Sequence, residues 1–265
     1  MNMKRPGREK KTPLQREWEL LMKKEQRFLE KRQQKKETAL NRLLSEKVPE
    51  KLQHTLDTAF EKAFYLIFEK GTGIIEKTYP KEKLKKEFKV NLYADQVYGT
   101  RKTLRVFGKK AGRSGARNLA VSGIAGVGMG ILGIGLPDIP VFTGMLLKCV
   151  YETALHFGYD YRTESEKYFV LLLIEGAVSY GEHLEEVEKK INAFIQTPAL
   201  PEGYRQEEQI KNTSRMLSKE LLYMKFLQGI PVAGAVGGAY DAVYMKQISG
   251  YAKMKYQKRF LSERK

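Results

Sequence analysis

The chain has 265 residues, enough to bury a sizeable core, and its 42% hydrophobic and 30% charged content excludes a disordered polymer. Its 48 basic against 31 acidic side chains leave a formal charge of +17, which points to anionic partners, either nucleic acid or the anionic cytoplasmic leaflet. A single cysteine, Cys149, excludes an internal disulfide.

That cysteine lies in the apolar run MLLKCVYETAL and reads as a small buried hydrophobe rather than a nucleophile. The N-terminus MNMKRPGREKK is basic but lacks the apolar stretch of a secretory signal, so a cytoplasmic location is expected.

Residues 1–47 form a polar, mixed-charge arm. Trp18, Leu21, Met22, Phe28, Leu29, Leu40, Leu43 and Leu44 recur mostly at spacings of three or four, which predicts a helix. Its middle, EKRQQKKE, is polar all round, so the arm is expected to pack weakly or only at its ends. A helical domain is expected over 48–262. It starts at Pro49, and Leu52, Leu56, Phe60, Phe64 and Ile67 make an apolar stripe that ends at Gly71. Tyr79-Pro80 opens a further helix.

From Arg101 to Arg117 the charge is one-sided. Arg101, Lys102, Arg105, Lys109, Lys110, Arg113 and Arg117 stand there without an acid. The chain then turns apolar, and Leu119 to Pro137 contains no ionisable side chain. This stretch reads as the first limb of a central Gly-rich helical hairpin. Pro137, Asp138 and Pro140 form its turn, with Asp138 capping the next helix and Pro140 tolerated in its first turn.

The glycines match a phosphate-loop pattern literally at Gly128, Gly130 and Gly133. That motif requires a strand before it and a βαβ unit around it, and neither is legible. Helix packing explains them better. Ser122, Gly126 and Gly130 recur every fourth residue, as do Gly112, Ala116 and Ala120 upstream and Gly234 and Gly238 downstream. Small residues at this spacing let two backbones approach closely. Each interior glycine costs about 1 kcal/mol of helix propensity, which close packing or an apolar solvent must offset. Two readings stay open: a hairpin that dips into one leaflet, and the packed core of a soluble domain.

Downstream, EKYFVLLLIEGAVSYG reads as a buried helix, HLEEVEKKINAFIQT as an amphipathic one, and the tail after Asp241 as helical and basic. Strand alternation never persists, so the chain is expected to be all-α.

No catalytic motif emerges. His54, His156 and His183 have no metal-ligand spacing, and a nucleophile elbow is absent. No catalytic, cofactor or metal residues are assigned. The leading expectation is a non-enzymatic protein, peripheral or monotopic at the inner face of the cell membrane. It meets anionic lipid through the basic run beside the hairpin. The alternatives are a soluble hydrolase with Asp138 or Asp160 in a buried site, and a nucleic-acid binder using arm and tail. Only Phe107 interleaves the basic run, which disfavours nucleic acid there.

Three blocks carry a resemblance to a known family: VPEKLQHTLDTAFEKAF, GLPDIPVFTGMLLKCVYETALHFGYDY and FLQGIPVAGAVGGAYDAVYMKQISGYA. Over about residues 45 to 260 the chain resembles the bacterial EcsC family. The resemblance implies a helical, cytoplasmic or membrane-peripheral protein. The founding type is encoded beside an ATP-binding-cassette transporter, so an accessory role to such a transporter is implied as a partner. The family has no established activity, so no catalytic residue carries over to this chain.

Overall fold

The computed structural model describes residues 11–33, 50–130, 138–228 and 237–265. Among these residues the structure is all-helical. The chain runs α1 (Pro13–Glu30), α2 (Glu50–Leu66), a π-helical turn (Ile67–Gly71), α3 (Thr72–Glu76), α4 (Lys81–Tyr98) and α5 (Arg101–Gly130). It continues with α6 (Asp138–His156), α7 (Glu164–Val178), α8 (Gly181–Gln196), α9 (Gln206–Gln228) and α10 (Gly237–Ser262).

Of the expected stripe, Leu56, Phe60 and Phe64 on α2 and Ile67 just beyond it are buried, with Ala63 alongside. The helical path does not end at Gly71 as expected but runs through the π-helical turn into α3. Helix α7 is buried from Tyr168 to Val178, as its unbroken apolar run predicts. Thr163 caps it, accepting from the Glu166 backbone N–H. The centre of the fold is α10, which packs against α5, α6, α7, α8 and α1. The tail that reads as basic in the sequence is therefore an internal element: Tyr251, Lys255, Tyr256 and Phe260 are fully or almost fully buried.

The arm also differs from expectation. Helix α1 starts with a capping box, Thr12 and Gln15 bonding each other's backbone N–H, with Pro13 in its first turn. It packs on α5 and α10, burying Leu21 and, unexpectedly, Glu17 and Glu25. The periodicity shows an apolar stripe, but the acids on that stripe find cations far along the chain. Of the polar middle EKRQQKKE, Glu30 to Gln33 are described, and Arg32 is buried and donates to the Ser179 carbonyl at 3.0 Å; the rest lies outside the described residues.

Pro140 falls in the first turn of α6, as expected. Ser122, Gly126 and Gly130 fall within α5 and Gly238 within α10, but their packing lies outside the description. The same holds for the side chain of Asp138, while Pro137 and Gly234 lie outside altogether. Among the described residues, no helix is long and apolar enough to cross a membrane.

Candidate functional site

Helix α5 has three distinct faces. Leu104, Phe107, Ala111, Ser114 and Asn118, spaced alternately by three and four, turn into the protein and are buried. Gly108, Gly112 and Gly115 face α10. A Cβ at Gly115 would lie 2.5 Å from Ser249 Oγ, and one at Gly112 would lie 2.8 Å from Lys253 Nζ. Of the stripe named from sequence, Gly112 meets a side chain of α10, while Ala116, one turn on, is exposed. Burial, and then repulsion from Lys24, holds the Lys253 ammonium below the usual lysine pKa.

The outer face carries the seven cations of the basic run, which divide into two groups. Four are engaged. Arg101 pairs with Glu17, and Arg105 stands 3.9 Å from the second oxygen of that carboxylate. Lys110 donates to Glu87 at 2.8 Å, and Arg117 reaches Glu152 at 3.3 Å. The other three, Lys102, Lys109 and Arg113, are exposed and make no ion pair among the described residues. Their spacing of seven and four puts them on one stripe of the helix.

Beneath this surface, α5 and α6 share a buried polar seam. Ser114 Oγ and His156 Nε2 are 2.8 Å apart. One turn further along α5 and one turn back along α6, Asn118 donates to Glu152 at 2.8 Å. Glu152 is fully buried, and desolvation lifts its pKa against the pull of Asn118 and Arg117. Burial lowers His156 to about 4, so its ring is neutral at neutral pH. The Cys149 thiol is pushed up to about 12, again chiefly by burial, which makes it an inert core side chain as its sequence context suggested.

Of the two acids proposed for a buried hydrolytic site, the side chain of Asp138 lies outside the description and Asp160 is not buried. Asp160 is partly exposed and accepts from Arg162 Nε at 3.0 Å and a terminal guanidinium nitrogen at 2.7 Å. Those bonds hold its pKa near 2. Among the described residues, no group of three His, Cys, Asp or Glu is placed to hold a metal. Three cations of the tail are committed inside the fold. Lys255 and Lys258 pair with Glu25, Lys255 also with Glu188, and Arg259 with Glu166.

Sequence reasoning missed the seam. Its only local signal is the matched pair of i, i+4 spacings, Ser114/Asn118 and Glu152/His156, within two otherwise small or apolar helix faces.

These features define an all-α protein in which one helix, α5, is cationic outside, polar at its inner seam and glycine-lined where it meets the central α10. The chain belongs to the EcsC protein family, whose family model matches residues 14–261. The match begins at the second residue of α1, so the helix of the N-terminal arm falls almost entirely within it. No curated protein and no solved structure matches the chain.

Proposed function

We propose that this protein is a non-enzymatic peripheral protein of the inner membrane face, held to anionic lipid by the outer face of α5. The observation that carries this reading is the stripe Lys102, Lys109 and Arg113. These side chains are exposed, aligned and free of carboxylate partners among the described residues, whereas the four other cations of the run are occupied within the fold. Unneutralised cations beside a membrane each contribute about 1 kcal/mol when the surface is anionic. The net charge of +17 adds a long-range attraction of the same sign. The apolar, Gly-rich stretch from Leu119 follows on the same helix. An accessory role to an ATP-binding-cassette transporter rests on the family resemblance alone.

The test is vesicle binding by a variant carrying Lys102→Gln, Lys109→Gln and Arg113→Gln. Loss of three surface contacts of about 1 kcal/mol each weakens binding to phosphatidylglycerol vesicles on the order of a hundredfold. The thermal midpoint stays unchanged, because none of the three makes an ion pair among the described residues. Undiminished binding by the folded variant contradicts the reading.

A further inference from the structure

The outward face of α4 repeats the chemistry of the α5 stripe and adds apolar groups to it. Lys83, Lys86, Val90, Tyr93 and Val97 follow one another at spacings of three, four, three and four, so they share a single face of the helix. Val90 is 67% exposed, Tyr93 69% and Val97 56%. Four of the ten exposed large hydrophobic residues among the described residues lie on α4, the fourth being Tyr98, so the feature is local rather than scattered.

The opposite face fixes the orientation of α4. Leu84 is buried, and the ring of Phe88 packs at 5.7 Å from that of Phe107 and 6.5 Å from that of Phe260. The stripe therefore belongs to a helix held rigidly by the core.

Between α4 and α5 runs a groove of about 420 Å³ lined by Lys83, Lys86, Glu87, Val90, Asn91 and Lys110. Three cations against one carboxylate leave it positive, and Glu87 is already bonded to Lys110. Val90 forms the apolar part of its lining. A positive groove that passes into exposed valine and tyrosine along one helix matches an anionic bilayer surface. Ammonium groups meet phosphates, apolar side chains enter the acyl boundary, and tyrosine suits the interface.

Resting on the membrane reading above, we infer that the outward face of α4 is the element that enters the anionic bilayer surface, with Val90, Tyr93 and Val97 below the headgroups and Lys83 and Lys86 at them. The α5 stripe supplies attraction, and α4 supplies the apolar contact that resists salt.

Full-length protein with Tyr93→Cys, labelled with bimane, tests this. Buried Cys149 stays unlabelled. A second labelled variant, Glu202→Cys, reports an exposed site on another segment. On vesicles of phosphatidylglycerol and phosphatidylcholine, the label at 93 shifts to the blue and is quenched by doxyl-labelled lipid, while the label at 202 is not. Val90→Ser with Val97→Ser melts like the native chain but binds these vesicles about tenfold more weakly or worse, from lost apolar burial. Vesicle binding with an unshifted label at 93 and an unaffected serine variant overturns the inference and leaves the α5 reading standing. A serine variant that changes only the sedimentation mass would make the face a contact between copies of this chain, which also overturns it. Absence of binding to any anionic vesicle removes both.

Discussion

The ring of Phe88 on α4 lies against the α-carbon of Gly158, just beyond α6, so closely that a Cβ there would fall 2.2 Å from Cζ. Gly158 also has a φ of +88°, outside the range an L side chain adopts without cost. The glycine in the sequence FGYDY is thus the seat that docks α4 onto the end of α6. Gly158→Ala combines backbone strain with overlap on a packed ring and lowers stability by about 3 kcal/mol. Gly99 is the control. It has a φ of +54° and nothing within 4 Å of where a Cβ would stand, so Gly99→Ala costs only about 1 kcal/mol. Urea unfolding midpoints of the two variants measure the difference, and equal losses would refute the role of Phe88.

Lys255 is fully buried between Glu25 of α1 and Glu188 of α8. Lys258 Nζ reaches the other oxygen of Glu25 at 2.8 Å, and Tyr251 donates to Glu188. Lys255→Met leaves two buried carboxylates short of a cation and costs about 3–5 kcal/mol by denaturant unfolding. Adding Glu25→Gln and Glu188→Gln removes the uncompensated charge and restores part of that loss. A single variant as stable as the native chain would show that the arm is not clamped by this network.

Those long-range pairs mark the limit of what the sequence reveals. The stripe on α2, the buried run of α7, the concentration of cations on one helix and Pro140 in the first turn of α6 are all legible from spacing. Periodicity reports which face of a helix is apolar. It does not report that Glu17 meets Arg101 or that Glu25 meets Lys255, residues 84 and 230 positions apart. For that reason the arm reads as packing weakly or only at its ends, and the tail only as helical and basic. The partition of the basic run into engaged and free cations, and the seam of Ser114, His156, Asn118 and Glu152, arise in the same way from contacts between helices.

His156 gives a pH signature. Its pKa is about 4 in the folded chain, held down chiefly by burial, against an ordinary 6.5. Between these values the unfolded chain binds more protons, so stability falls as pH drops from 6.5 towards 4. This group alone contributes on the order of 3 kcal/mol over that window. His156→Gln keeps a polar partner for Ser114 and does not titrate. The difference in unfolding free energy between the two proteins therefore changes with pH between 6.5 and 4 and is flat above 7. A pH-independent difference would mean that the ring is accessible to protons in the folded state.

The outer face of α5 is proposed to bring this chain to an anionic bilayer. The most direct measurement is flotation of the purified full-length protein with phosphatidylcholine vesicles of increasing phosphatidylglycerol content, repeated at low and high salt. Neutral vesicles are expected to float none of the protein, with binding that rises with the anionic fraction and weakens markedly as salt screens the cations. Flotation that is equal on neutral and anionic vesicles, or absent from both at low salt, would contradict that proposal.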